Sequence, residues 1–354
     1  MTLVDRYLAR VVLLYSLTVL LVLVALDRVF ALIRQLEDVG RGSYTLLDLV
    51  VNVGMRAPGS AYEFAATAVL LGSLLGLGSL ASGNELAVVR ASGMSLARLA
   101  RPLFITGIAI AIAVFSLGEW VVPRSESYAN KLRTEALSKQ ISLGGESGLW
   151  LREDQRYINI KHVLSDLNLR DIAIYSFSDR TLQQTLQAQG ATVSENGGWL
   201  LTGVQEWRVV GGRIETRAHE TYPSPVDLKP DLLHALTVPP DMLPSKDLWE
   251  NAAYLNANSL EATAFEIAFW SKFSIPLGSV VMVLLALPFV LGPQRQTSGG
   301  KRIFIGSLIG IAYLILNKVS NQLGVLVDIP APIGAFLPLI CFLVFVWLGL
   351  RKVT

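Results

Sequence analysis

Long apolar runs separated by short charged turns dominate the chain, and their lengths decide what they can be. A helix rises about 1.5 Å per residue, so crossing the roughly 30 Å hydrocarbon core of a bilayer takes about 20 mostly apolar residues. Six runs come to about that length: Val11–Ile33, Ala61–Ser82, Leu99–Val122, Ala264–Leu291, Ile303–Leu323 and Ile333–Leu350. The pattern predicts a polytopic α-helical membrane protein with six transmembrane helices. Between the third and fourth runs, Pro123–Thr263 is rich in charge and holds no apolar segment of spanning length. The expected organisation is therefore 1–122 with helices 1 to 3, 123–263 as an inserted domain with its connectors, and 264–354 with helices 4 to 6.

The inserted stretch changes period. Trp150-Leu-Arg-Glu-Asp-Gln-Arg-Tyr157-Ile-Asn-Ile160 alternates on either side of a polar turn, and Ile172-Ala-Ile-Tyr-Ser-Phe177 is rich in strand formers. Asn196-Gly197-Gly198 separates Ala191-Thr-Val193 from Trp199-Leu-Leu201, and Gly211-Gly212 separates Trp207–Val210 from Arg213–Thr216. Both are hairpin turn chemistry. Short strands with regular turns predict an all-β sandwich or roll. Pro223, Pro225, Pro230, Pro239, Pro240 and Pro244 then predict an extended exit towards the fourth helix.

The flanking charges set the expected orientation. Arg6, Arg10, Arg90, Arg98, Arg101, Arg295, Lys301, Arg302, Arg351 and Lys352 fall on one set of flanks, against Arg34, Arg41 and Arg56 on the other. By the positive-inside tendency both termini are cytoplasmic and the β domain lies outside. The first apolar run is too long for a signal-peptide core and no small-x-small cleavage site follows it closely, so it is expected to be retained.

Composition narrows the function. Hydrophobic residues make up 52% of the chain and charged ones 16%, against roughly 25% charged in a soluble domain. The 30 Lys+Arg and 28 Asp+Glu leave a net charge of +2, which excludes phosphate-backbone binding as the main task. Cys341 stands alone, and His162, His219 and His234 are too far apart for a ligand pair, so no metal site is expected. Gly299-Gly300-Lys301 lacks both the upstream glycine and the Ser/Thr of a phosphate-binding loop. No GxSxG elbow exists, and no catalytic residue is assigned. A protein of this kind that uses ATP needs another chain to hydrolyse it.

Three features carry chemistry. Gly83–Ser95 has helix signals of its own, with Asn84 as N-cap, Glu85 at the positive end and Gly93 suited to the C-cap. That short helix, apolar at Leu86 and Val89, fits a protein partner, although a helix lying on lipid headgroups has the same look. Asp27, Arg28, Lys272, Asn317 and Lys318 sit within spans, where charge is costly; snorkelling to the interface accounts well for Arg28 and less well for Lys318, which lies inside the fifth run. Arg34, Arg41, Lys131 and Arg133 form a band of cations where spans one and three leave the membrane, suited to an anionic lipid headgroup. Gly72, Gly76 and Ser79 in the second run match the small-xxx-small pattern of close helix packing.

The residues also resemble a known family. Asp5-Arg6-Tyr7, Asn84-Glu85-Leu86-Ala87-Val88-Val89-Arg90-Ala91-Ser92-Gly93, Gly118-Glu119-Trp120-Val121-Val122-Pro123, Trp270-Ser271-Lys272 and Leu291-Gly292-Pro293 are similar to the lipopolysaccharide export permeases of the LptF/LptG (YjgP/YjgQ) family. The resemblance implies a bacterial inner-membrane permease subunit of an ABC transporter with a periplasmic β-jellyroll. Such a subunit extracts lipopolysaccharide from the outer leaflet and passes it to a periplasmic bridge. It implies the paralogous permease LptF, the ATPase dimer LptB, the single-span LptC and the bridge protein LptA as partners, with ATP and magnesium held by the ATPase and no cofactor on this chain. Spans one and five would be the lateral gates. Glu85 falls at the family's coupling glutamate, with Leu86, Val89, Arg90 and Gly93 in the same segment. Arg133 matches a cation near the lipid's phosphates, with Arg34, Arg41, Lys131, Lys272 and Lys318 as further lipopolysaccharide-binding candidates. Glu37 and Asp38 stand where the family commonly has basic residues.

Two other classes fit the sequence less well. An ion-coupled secondary transporter usually places carboxylates near the midplane, and these spans hold few acids away from their ends. A membrane-anchored sensor or scaffold does not need six spans with lysines inside them.

Overall fold

The computed structural model describes residues 3–91, 94–137, 141–142, 149–153, 155–163, 169–178, 181–193, 199–210, 213–225, 239–258, 260–291, 299–327 and 329–351. Its helices are α1 (Leu3–Gln35), α2 (Leu46–Met55), α3 (Ala57–Ser82), α4 (Glu85–Ala91), α5 (Leu96–Ser116), α6 (Val122–Ala136), α7 (Ser245–Ala257), α8 (Thr263–Leu291), α9 (Gly299–Leu326) and α10 (Ala331–Arg351). The chain forms two compact units, Met1–Glu37 with Val53–Glu126 and Glu266–Thr354, and Asp38–Asn52 with Ser127–Phe265.

Six segments among the described residues, lying mostly in the first unit, are long and apolar enough to cross a membrane, as the runs predict: Leu3–Asp38, Leu46–Ser82, Arg98–Arg133, Thr263–Val290, Phe304–Leu326 and Ala331–Arg351. The helices outrun the apolar stretches because each added residue gains a backbone hydrogen bond once a helix has nucleated. The third span changes character on the way. A π-helical turn, Leu117–Val121, joins α5 to α6, and Pro123 sits just past it, where the ladder returns to α and its missing N–H does least harm.

Burial ranks these helices. The apolar window of the second span is 83% buried, that of the first and fifth 17%, so α3 is the axis of the unit and α1 and α9 are peripheral. Small residues make this possible. A Cβ on Gly72 would run into the backbone of Ser16, and one on Gly76 would lie 3.0 Å from Val11, so α1 packs directly on the glycine face anticipated in the second run. Leu70, Leu74, Leu77, Leu103, Met282 and Leu285 form the centre of the core.

The second unit carries the β-sheet. Strands β1 (Ile141–Ser142), β2 (Leu149–Glu153), β3 (Arg156–Val163), β4 (Leu169–Ser178), β5 (Thr181–Val193), β6 (Trp199–Val210) and β7 (Arg213–Pro223) lie in the order β1-β3-β4-β5-β6-β7, with β2 also paired to β3. All pairs are antiparallel. Register builds the interior face row by row: Ile158 opposite Ile174 opposite Leu186, and Ile160 opposite Ile172 opposite Ala188 opposite Val204. These side chains are at most 2% exposed, and the cluster's buried members all come from strands. The register shift at Ser176/Phe177 and the positive φ of Gly203 (62°) supply local bends.

The anticipated hairpins pair as expected, Glu153 with Arg156 and Val210 with Arg213; the turns Asn196-Gly197-Gly198 and Gly211-Gly212 themselves lie outside the described residues. The proline-rich exit is not extended throughout. After Pro244 the chain forms α7, with Leu248, Ala252 and Leu255 buried at helical spacing, a period-3.6 signal inside the stretch read as a connector.

Candidate functional site

The cations expected to meet a lipid headgroup are partly assembled in the second unit. The loop after α1 turns through Gly40 (φ 86°) and Gly42 (φ 59°), and a Cβ on Gly42 would stand 2.6 Å from the carbonyl oxygen of Ala136 on α6. Glycine is required there on both counts. The Ser43 amide donates to that same oxygen at 2.8 Å, and Gly40 N donates to Tyr44 O at 3.0 Å, while Tyr44 is 1% exposed. On this platform Arg133 Nη2 reaches Asp38 Oδ2 at 2.5 Å and Arg41 Nη1 reaches Asp38 Oδ1 at 3.3 Å. One carboxylate thus bridges two of the candidate arginines. Lys131 is exposed on α6, two residues from Arg133. Arg34 is exposed in the last turn of α1, in the other unit.

The candidates within the spans belong to the first unit. Lys272 on α8 is buried; its Nζ donates to Gly118 O at 3.0 Å and lies 5.7 Å from the centre of the Tyr62 ring. Gly118 belongs to the π turn, whose altered ladder leaves its carbonyl available, and a Cβ there would strike Tyr62. Lys318 on α9 forms a 2.7 Å ion pair with Glu63 on α3, and its side chain stays 75% exposed. Arg28 does not snorkel outward. It pairs with Asp27, donates to Ser60 Oγ at 2.5 Å and to Val53 O at 3.4 Å, and Ser60 donates in turn to Asp27 at 2.7 Å.

The short connecting helix forms as expected, but with different faces. Asn84 adopts φ 61°, the left-handed conformation that Asn tolerates, and its carbonyl accepts from Val88 N at 3.1 Å, the first bond of the helix. Leu86, read from sequence as facing a partner, is 4% exposed and belongs to the unit's own core, with Val89 packed beside it. Val88 points outward instead, at 69% exposure. Glu85 is exposed and accepts a 3.0 Å hydrogen bond from Tyr7 Oη on α1. Arg90 lies in α4, and Gly93 is outside the described residues.

Sequence reading missed the partners: Tyr7, Asp38, Glu63 and Ser60. Glu63 had a signal, since a lone acid in an apolar run calls for a cation nearby. Tyr7 and Ser60 had none. In the β unit, Glu206 is buried against Gln184 Nε2 (2.7 Å), Arg208 Nη2 (2.8 Å) and His219 Nε2 (3.0 Å). Burial pushes its carboxyl up, but these partners outweigh burial and hold it below the ordinary glutamate range. Among the described residues no three His, Cys, Asp or Glu side chains converge as metal ligands.

Residues 6–352 match the family described as Lipopolysaccharide export system permease LptF/LptG. The chain is 30% identical over 345 residues to the protein called Lipopolysaccharide export system permease protein LptG in Haemophilus influenzae, covering 97% of this chain and 96% of that one. It is 32% identical over 357 residues to the LptG of Escherichia coli, covering 98% of both. With six membrane-crossing segments, an antiparallel β-sheet between the third and fourth, and correspondence over nearly its whole length, the chain belongs to the lipopolysaccharide export permease family LptF/LptG.

Proposed function

We propose that this chain is the permease half of an ATP-driven exporter that lifts lipopolysaccharide from the outer leaflet of the inner membrane and passes it to a periplasmic bridge. The observation that carries the reading is the end-to-end correspondence with relatives named for that export. The proposed assembly has LptF as the second permease half, the LptB dimer on the cytoplasmic side, and LptC and LptA beyond the membrane; ATP and magnesium belong to LptB. Both termini are cytoplasmic and the sheet is periplasmic in this reading, supported by the ten Lys and Arg residues of one set of flanks.

The energetics define what the chain must do. Exposing one acyl chain of about twelve carbons to water would cost about 10 kcal/mol at about 0.8 kcal/mol per methylene. Tails must therefore stay against apolar helix surface while the headgroup is gripped by cations at the membrane edge. The exposed leucines, valines and phenylalanine of α1, from Leu13 to Phe30, suit the first task; Arg41, Lys131 and Arg133 suit the second. Glu85 and Val88 are exposed on α4 and would meet the ATPase, and Lys318 on exposed α9 is a further headgroup candidate, with Glu63 as its counter-ion.

Reconstitution tests this. The chain, co-expressed with a paralogous permease and a small ATPase, is placed in proteoliposomes loaded with lipopolysaccharide, and ATP-dependent release to an acceptor is followed. An assembled, ATP-hydrolysing complex that releases nothing would sink the reading. A periplasm-dependent reporter inserted at Gly197 tests the orientation, and an inactive reporter would invert it.

A further inference from the structure

Arg41 and Arg133 converge on a single carboxylate. Asp38 is 8% exposed, and each of its oxygens meets a different guanidinium, Oδ2 that of Arg133 at 2.5 Å and Oδ1 that of Arg41 at 3.3 Å. The guanidiniums are more open than the acid, with side chains 35% and 62% exposed for Arg133 and Arg41 against 11% for Asp38. The loop that carries Asp38 and Arg41 is fixed against α6, the helix that carries Arg133. Gly40 and Gly42 take positive φ, Ser43 is bonded to Ala136, and Arg41 N is bonded to Asp38 O at 3.1 Å. Two arginines are thus gathered on one carboxylate, an anion of the chain's own.

We propose that Asp38 is a resident counter-ion that occupies this arginine pair between transport cycles and is displaced by a phosphate group of the lipid headgroup, so that its charge weakens the grip and eases release. The proposal rests on the reading of the chain as a lipopolysaccharide permease. A phosphate has the chemistry for the exchange, because it offers more charge and more acceptor oxygens to two guanidiniums than a carboxylate does. The local charge is then +1, from +2 on the arginines and −1 on Asp38. After displacement the carboxylate stays beside the phosphate and repels it. A transporter gains from this, since a headgroup held by two fully uncompensated arginines would be captured tightly and handed on slowly.

The test measures binding of purified lipopolysaccharide, its dephosphorylated form and inorganic phosphate to the intact complex carrying wild-type chain, Asp38→Asn or Asp38→Ser. Two substitutions are used because the loop tolerates one side chain at this position better than another. The wild type is expected to bind the phosphorylated lipid. Either variant is expected to bind it about tenfold more tightly, with ATP-driven release slowed by a similar factor. Dephosphorylated lipid should show no gain, and adding Arg133→Gln should cancel it. A gain seen with inorganic phosphate as well assigns recognition to the phosphate alone; a gain confined to the lipid assigns it to the phosphate in its headgroup setting. Unchanged or weaker binding of the phosphorylated lipid by the variants, or an equal gain for the dephosphorylated form, overturns the counter-ion role and leaves the permease reading intact. Wild-type complex that binds no lipopolysaccharide overturns both.

Discussion

Tyr7 in the first turns of α1 donates a 3.0 Å hydrogen bond to Glu85 at the start of α4, across 78 positions of sequence. The contact ties the proposed ATPase-facing acid to a helix that runs unbroken from Leu3 to Gln35. If α4 is the coupling element, its displacement would reach α1 through this contact. Glu85→Lys should abolish ATP-driven lipopolysaccharide release while leaving membrane insertion intact. Tyr7→Phe, which keeps the ring and removes the donor, should lower release by a smaller factor than Glu85→Lys, because the bond it removes lies between exposed groups. Reconstituted complexes report both, and wild-type release from Glu85→Lys would count against α4 as the coupling element.

Much of this architecture was legible beforehand, and the exceptions have a common cause. Spans and hairpins are written in local periodicity, so Val11–Ile33 and the strand pair around Gly211-Gly212 could be read without knowing what they touch. Ion partners are set by the packing of distant segments. Asp38 and Arg133 lie 95 positions apart, and no local pattern joins them. The outward face of α4 was misread for a related reason: Leu86 and Val88 are both apolar, and only the position of the core decides which is buried.

The packing of α1 on α3 predicts an asymmetry among glycines. Gly72→Ala places a methyl into the backbone of Ser16 and should cost about 1–3 kcal/mol by overpacking. Gly54→Ala on α2 meets nothing within 4 Å and should be neutral or stabilising by up to about 1 kcal/mol, since alanine restricts the unfolded chain. Thermal midpoints in detergent, followed by intrinsic fluorescence, separate the two. Equal midpoints would mean that α1 does not press on α3 at Gly72.

Glu206 gives the β-sheet a defined pH response. A carboxyl whose folded value lies below its unfolded one stabilises the fold above the unfolded value, about 4.3, and loses that contribution as pH falls through the folded value. Amide protection in β5 to β7 should fall as the medium is acidified below about pH 4.3, and the Glu206-dependent part of that slope should vanish in Glu206→Gln. At neutral pH Glu206→Ala should cost about 1–2 kcal/mol, less than a fully buried pair, because Arg208 and His219 are half and one-third exposed and can turn to water. A variant with the wild-type slope would assign the acid response to other groups.

Asp27, Arg28 and Ser60 form a closed set within the helical unit. Each side chain bonds to the other two, and Arg28 also reaches Val53 O. With side chains only 25% and 19% exposed, Asp27 and Arg28 depend on each other in a span where a lone arginine costs about 3 kcal/mol. Asp27→Leu should therefore destabilise the unit by about that amount, because it strands the guanidinium. Asp27→Leu combined with Arg28→Leu should recover most of the loss, since two leucines ask nothing of a hydrocarbon surrounding and a buried ion pair often gives little net stability over apolar residues of similar size. Denaturation in detergent of the two single variants and the double variant measures the coupling directly. If the double variant is as unstable as Asp27→Leu alone, the set contributes through its specific geometry between α1 and α3, and mutual charge compensation is not the reason these residues stand in the membrane.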